Sequence, residues 1–510
     1  MSIYVFSLLV GYELSGVDVA IGRRSEYFRN TNTPVKYIFT ELPDQYYIDR
    51  YIQCGINPEE MLSVHMKLSK ADSLAGNYLA EQKIAELKES MQFDKIVSGE
   101  NAITLYKDGY RVAVLELKKD RRFLSMVVFF NKERLIAKEF YTDRLLYVQH
   151  YITANNNGNL YAKLKRTSYV DASGSITCEC FHDVEDMYVF PKGERYTKQE
   201  LLEKFIQELN LTEEDTVLID RPSYMNFVQP LFEHGNKARI MVFLHSGHYY
   251  KRGESPDGLF MNYEYYGWFK LSKYIDTVIV STEEQKCDLE EKFKGYGCHI
   301  PKIEVIPVSG LDEIKYPIEP RKQFSLITVS RLDPRKNIKW MIQSVIKAHE
   351  VIPELSLDIY GTGAEVYVNS LKEFVRENQA EAYICFKGRM DVSECYKNYE
   401  AYITSSLWET LGLSYMEAVG SGNAMIGLDV RYGSRLFIKN DVNGKLIDFN
   451  IDDIQKPDTE TETIDKMTNA IIEVFEDKER MKRYQESSYE IAKQFLSDKI
   501  RTNWMRLVFL

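Results

Sequence analysis

The chain has 510 residues, of which 44% are hydrophobic and 28% charged. At roughly 100–200 residues per domain such a length holds two to four domains, and the composition excludes wholesale disorder, a collagen-like fibre and a disulfide miniprotein. With 65 basic and 76 acidic residues the net charge is −11, which argues against a nucleic-acid binder, whose affinity comes mostly from neutralising phosphates.

Residues 3–10 (IYVFSLLV) form an apolar run closed by Gly11, the pattern of a buried strand. The run has no basic residues ahead of it and soon meets Glu13 and Asp18, so it does not read as a signal peptide. No stretch approaches the roughly 18 apolar residues of a membrane span. The expected location is cytoplasmic, with at most a peripheral association at the inner face of the cell membrane. After the loop GYELSGV a helical pattern runs from Asp18 to about Asn30, and 35–40 (VKYIFT) read as a second strand. This β-loop-α-β opening begins a doubly wound sheet.

The rhythm then changes. Residues 56–90 are helix-like and charged. From 101 to about 190 short apolar runs are separated by Asp-Gly, Asn-Lys, Asn-Asn-Asn-Gly and Ala-Ser-Gly, the signals of an antiparallel meander. Residues 46–204 therefore read as a β-rich insertion. The βα alternation resumes at 216–220 and continues through 239–245, 277–281 and 302–308. A proline-containing linker near 312–323 leads to a second βα series at 324–330, 355–361, 383–388, 401–406 and 424–430, and the C-terminal 463–505 is helical. The expected architecture is α/β, with an N-terminal Rossmann-like domain (1–45 and 205–318) and a C-terminal one (319–490) facing a cleft. A last helix, 491–510, is expected to pack back on the first domain. In such sheets ligands sit at the carboxyl ends of the strands.

Four groups of residues fall at strand ends of that kind. Glu409 lies in the loop after AYITSS and Glu417 lies one turn inside the following helix, with the amides of Thr410, Leu411 and Gly412 at its positive end. Glu409 suits sugar hydroxyls, and Glu417 suits a ribose. Arg331 and Lys336, after the first strand of the second series, could converge on a diphosphate, one as a planar fork and one as a point charge. Gly16 with Val17, Asp18 and Val19 opens the first helix, where backbone can approach a phosphate or sugar closely; the full Gly-x-Gly-x-x-Gly fingerprint is absent. His245 ends the strand MVFLH, and His248 follows, without a third ligand to suggest a metal. Taken singly, each also suits a solvated loop, a turn glycine or a structural histidine. The seven cysteines (Cys54, Cys178, Cys180, Cys287, Cys298, Cys385 and Cys395) lack Cys-x-x-Cys spacing and read as scattered reduced thiols.

The Arg331/Lys336 pair with Glu409-x7-Glu417 resembles the retaining glycosyltransferases of family 4, which have the GT-B fold. The stretches SGVDVA, FLHSGHYY, VIVSTEEQ, FSLITVSRL, LDIYGTGAE, FKGRM, MEAVGSGNAMIGLDVRYG and DVNGKLI resemble one subgroup, the accessory Sec system glycosyltransferases. Those attach N-acetylglucosamine from UDP-GlcNAc to Ser/Thr of serine-rich repeat adhesins, work with a GtfB-like subunit of glycosyltransferase fold, and carry a β-rich insertion. The resemblance implies a UDP-sugar donor, no tightly bound cofactor, no required metal and a Ser/Thr-rich acceptor protein. By position it places Gly16 and Val17 against diphosphate and sugar, and His245 near the reacting carbon. Arg331 and Lys336 hold the diphosphate, Arg389 and Met390 line a uracil pocket, Glu409 with the 410–412 amides holds sugar hydroxyls, and Glu417 binds ribose. Thr410-Leu411 stand where the family commonly has Gly-Phe, and Asn423-Ala424 replace a common Pro after Ser-Gly. These departures leave both N-acetylglucosamine and glucose open as the donor sugar. The alternatives are a wall teichoic acid or polysaccharide glycosyltransferase and a non-catalytic partner subunit of the same fold.

Overall fold

The computed structural model describes residues 1–7, 16–31, 33–40, 45–72, 74–118, 122–220, 229–233, 237–247, 249–251, 259–261 and 269–509. It divides into two compact units, Met1–Val242 and Phe243–Leu510. Gly11, Ser15 and His248 lie outside the described residues.

In the first unit β1 (Ile3–Phe6) pairs in parallel with β2 (Val35–Phe39), and β2 with β3 (Met61–Ser63). The helix Gly16–Arg29 joins β1 to β2. Its Arg24 is wholly buried in an ion pair with Asp220, whose backbone N–H donates to the Phe6 carbonyl. Removing either charge would leave the other buried without this ion pair, which costs about 3–5 kcal/mol.

In sequence, a ten-stranded antiparallel meander follows β3 before the parallel sheet resumes. Its strands are β4 (Lys95–Ser98), β5 (Ala102–Lys107), β6 (Tyr110–Leu117), β7 (Leu124–Asn131), β8 (Arg134–Tyr141), β9 (Leu145–Asn156), β10 (Asn159–Val170), β11 (Ile176–Phe181), β12 (Met187–Val189) and β13 (Arg195–Thr197), neighbours in sequence and in space throughout. Its hairpins follow the turn chemistry. Asp108-Gly109 and Asn157-Gly158 both take positive φ, as does the pair Lys132-Glu133, matching the twist of the flanking strands. One layer of apolar side chains (Leu105, Ala113, Leu115, Leu124 and Val127) packs under the helix residue Leu87. The antiparallel strands begin at Lys95, whereas residues 45–91 are mainly helical and include β3, a strand of the parallel sheet. Three residues are too few to show a period in the sequence. The parallel sheet continues with β14 (Thr216–Ile219) beside β1 and β15 (Arg239–Phe243) beside β14.

The second unit holds a hairpin of β16 (Tyr249–Lys251) and β17 (Leu259–Met261) and a parallel pair of β18 (Thr277–Val280) and β19 (Lys302–Val305). Its main sheet is six-stranded and parallel, made of β20 (Lys322–Val329), β21 (Ser356–Tyr360), β22 (Ile384–Gly388), β23 (Tyr399–Thr404), β24 (Ala424–Leu428) and β25 (Gly444–Ile447), in the order β22-β21-β20-β23-β24-β25. Leu326, Ile327, Ala401, Ile403, Ala424 and Ile426 are all fully buried, as expected of central strands covered on both faces. Helices Ile338–Val351 and Thr459–Glu476 supply much of that cover. Among the described residues no helix is long and apolar enough to cross a membrane.

Candidate active site

In an open parallel sheet, ligands bind outside the carboxyl ends of the strands where strand order reverses. Here the reversal lies between β20 and β23, and the loops leaving those two strands carry Lys336 and Glu409. After β20, Asp333 caps the single turn Pro334–Lys336 by accepting the Arg335 N–H at 2.9 Å. Asn337 then takes φ 54° and starts the helix Ile338–Val351. Ser405, the residue after β23, directs its hydroxyl at the carbonyls of both Lys336 and Asn337, each at 2.9 Å. One strand end thus grips the backbone that follows its neighbour and fixes the direction of Lys336.

The Lys336 ammonium forms an ion pair with the Glu409 carboxylate, and their side chains are 19% and 16% exposed. Ser406 Oγ lies 3.5 Å from the same ammonium. In such a partly dry setting the attraction is less screened than at a surface. The Glu409 carbonyl accepts the N–H groups of Tyr432 at 2.7 Å and Gly433 at 2.9 Å. The loop after β24 therefore holds the glutamate from the far side. That loop is in turn tied to helix Glu283–Gly295, with Arg435 donating to Glu284 at 2.6 Å and Arg431 to Asp288 at 2.7 Å.

Thr410 and Leu411 are buried between Glu409 and Gly412, whose φ of 81° precedes helix Leu413–Gly420. Glu417, on that helix, accepts a 2.8 Å hydrogen bond from the buried Tyr396 hydroxyl. Burial and the facing carboxylate together push the Tyr396 phenol well above its ordinary range, so it stays a donor.

Arg331 is 68% exposed and 3.8 Å from Asp333. Burial raises the Asp333 carboxyl, but its bonds to Arg335 outweigh this and hold it below the usual range. Arg389 and Met390 follow β22 and are exposed at the same sheet end. The His245 ring stands 4.2 Å from that of Phe243. Two residues on, Gly247 lies so close to Trp408 that a Cβ there would overlap the indole, and the buried Gln285 amide donates to the Ser246 carbonyl at 3.2 Å. The 245–247 and 408–409 segments are therefore neighbours. Gly16, Val17, Asp18 and Val19 belong to the first unit, where Gly16 and Val19 are exposed and Asp18 is buried at the helix start.

Lys336, Glu409 and the segment bearing His245 are thus gathered at one end of the six-stranded sheet, with Glu417 one turn inside the helix that follows the Glu409 loop. Sequence reading missed Ser405, Tyr396 and the Gly247–Trp408 contact. Only Ser405 left a signal, a small polar residue at the end of an apolar strand.

Residues 312–491 match the family model for glycosyl transferases group 1, and residues 95–192 match that of the GtfA extended beta-sheet domain. The UDP-N-acetylglucosamine–peptide N-acetylglucosaminyltransferase GtfA subunit of Streptococcus gordonii is 32% identical over 100% of this chain and 98% of its own length. The crystal structure of the pneumococcal O-GlcNAc transferase GtfA with UDP and GlcNAc superposes with a TM-score of 0.87 at 29% identity, covering 100% of this chain and 98% of that one. A GtfA/B complex gives 0.88 at 30% identity, covering 100% and 99%. The fold is GT-B, with parallel sheets and an antiparallel insertion. Full-length identity at this level, the glycosyl transferase match and the insertion match agree that the chain belongs to the family of GtfA glycosyltransferase subunits.

Proposed function

We propose that this chain transfers N-acetylglucosamine from UDP-GlcNAc to Ser/Thr hydroxyls of a protein acceptor with retention of configuration. The observation that carries the reading is the Lys336–Glu409 ion pair at the reversal of strand order. As the bond from the anomeric carbon to the diphosphate breaks, negative charge grows on the leaving phosphate. The Lys336 ammonium, already aimed and partly dry, stabilises that charge, with Arg331 supplying a second cation from the same loop. Preorganised charge of this kind is worth most where charge develops. Glu409 holds sugar hydroxyls and Glu417 the ribose, while Arg389 and Met390 line the base. His245 contacts the transferred sugar near the reacting carbon. The departing phosphate takes the acceptor proton on the face it leaves, so the configuration at the anomeric carbon is kept without a metal or a protein nucleophile.

In this reading the acceptor is a serine-rich repeat adhesin, met in the cytoplasm or at the inner face of the membrane, and a GtfB-like subunit docks on the insertion. Segments 1–45 and 205–318 serve the acceptor and 319–490 the nucleotide sugar. Support for the docking role comes from β4, an edge strand exposed along its length that presents Ile96 and Val97.

The test is UDP release and product linkage, measured with the partner subunit present and a Ser/Thr-rich peptide as acceptor, using UDP-GlcNAc and UDP-glucose in parallel. The expected result is peptide-dependent UDP release from UDP-GlcNAc and an α-linked product. A β-linked product overturns retention, preference for UDP-glucose overturns the donor, and no release from either overturns the whole reading.

A further inference from the structure

The antiparallel sheet carries a second cluster of chemistry-bearing side chains. Cys180 is near the end of β11, His182 follows that strand, and Asp186 immediately precedes β12. Their ligand atoms all lie within 4.8 Å of one another. The Cys180 side chain is fully buried, while His182 and Asp186 are 21% and 36% exposed, so the cluster opens on one side to solvent. The Cys180 sulfur is 3.8 Å from His182 Nδ1, and Asp186 Oδ1 is 2.7 Å from the same nitrogen. His182 Nε2 lies 2.8 Å from the Thr167 hydroxyl on β10.

This arrangement rules out one familiar use of the three residue types. A thiol–imidazole–carboxylate proton relay sets the nucleophile on one ring nitrogen and the carboxylate on the other. Here thiol and carboxylate both address Nδ1. A single imidazole nitrogen offers one in-plane proton or one lone pair, and cannot serve both. A cation at the point where the three converge serves all of them. The Thr167 hydroxyl on Nε2 is the outer partner that fixes the ring of a metal-bound histidine.

We propose that Cys180, His182 and Asp186 form a binding site for a divalent transition ion of borderline softness, zinc foremost, with water completing the coordination. One sulfur, one nitrogen and one oxygen donor suit zinc rather than magnesium or calcium, which take oxygen ligands. A tetrahedral zinc ion with bonds of about 2.0–2.3 Å sets its ligand atoms roughly 3.3–3.6 Å apart, so modest side-chain movement closes the site. A thiol binds a metal ion as its thiolate, so the Cys180 proton leaves to solvent as the sulfur–metal bond forms. The ion would join the end of β11 to the start of β12 across residues 182–186, on the side of the sheet carrying Thr167.

The test uses the full chain, stripped with a chelator and titrated with Zn²⁺ by calorimetry and with Co²⁺ by absorption. One equivalent is expected to bind, with a thiolate-to-cobalt charge-transfer band. Cys180→Ser and Asp186→Asn are each expected to lower the affinity at least tenfold. Zn²⁺ is expected to raise the Tm of the wild-type chain but not of Cys180→Ser. Asp186 is partly exposed, so its variant keeps the test readable should the cysteine variant fold poorly. Absence of the band overturns the site, as does a band of equal strength in Cys180→Ser, which would assign the ion to other thiols, or an unchanged affinity in Asp186→Asn.

Discussion

The Lys336 ammonium and the Glu409 carboxylate, 73 residues apart in the chain, meet as an ion pair where the loops after β20 and β23 come together. Each needs the other, because either charge left alone in this half-dry setting is poorly solvated. If the ammonium also takes up the charge of the leaving phosphate, Lys336→Ala should lower kcat by about 10²–10³, the range for losing one preorganised donor. Glu409→Ala should act on both kcat and KM, and the double variant should cost much less than the product of the two singles. Steady-state UDP release for the four proteins decides the matter. Strict additivity would show that the two residues work independently.

Tyr396 reaches Glu417 through a single 2.8 Å hydrogen bond from a buried hydroxyl. By engaging Oε2 it orients the carboxylate proposed above to meet the ribose. Tyr396→Phe keeps the packing and removes only that bond. A neutral donor to a charged acceptor is worth about 1.5–3 kcal/mol, so KM for the UDP-sugar should rise roughly tenfold or more while kcat changes little. A fall in kcat with unchanged KM would show that Tyr396 does not act through nucleotide binding.

The sequence made some features legible and hid others for physical reasons. Short buried parallel strands such as 424–428 stand out because both faces are apolar. The meander is legible in its turns, since Asp108-Gly109 and Asn157-Gly158 adopt the positive φ angles their residue types favour. Lys336 and Glu409 could be nominated because each follows a strand, but nothing local says that the two strands are adjacent. That depends on the reversal of order between β20 and β23, a property of the whole sheet. Tyr396 was invisible for the same reason. A tyrosine just before a strand is ordinary until the fold sets it against Glu417. Cys180, His182 and Asp186 were overlooked because attention to paired cysteines passes over a mixed Cys-x-His-x3-Asp set.

Gly247 and Trp408 give a steric test of how the His245 segment is placed. The indole occupies the space a Cβ would need and also meets Tyr432 edge-on, with ring centroids 6.3 Å apart. Gly247→Ala forces one of the two segments to move. Overpacking of this kind costs about 1–3 kcal/mol, so the Tm should fall by a few degrees and activity should fall further than stability accounts for. Combining Gly247→Ala with Trp408→Leu should restore the Tm. If Gly247→Ala is silent in both assays, the close approach is not maintained in solution.

His65 offers a pH test confined to the first unit. Its ring is buried, with Nδ1 2.8 Å from the Tyr169 hydroxyl on β10. Burial, reinforced by the Lys198 charge, lowers its pKa to about 3. Because the folded value lies below the unfolded one near 6.5, the unfolded chain takes up the proton first on acidification. The neutral ring's contribution is complete above pH 6.5 and is lost progressively as the pH falls from 6.5 towards 3. At about 1.4 kcal/mol per pH unit, going from pH 6.5 to 5 removes about 2 kcal/mol of local stability. His65→Gln lacks this titration. Hydrogen exchange of the β9 and β10 amides, measured at pH 7 and at pH 5 and corrected for intrinsic rates, should show a greater loss of protection in the wild-type chain than in the variant. Equal losses in the two proteins would mean that His65 can be protonated without opening the sheet.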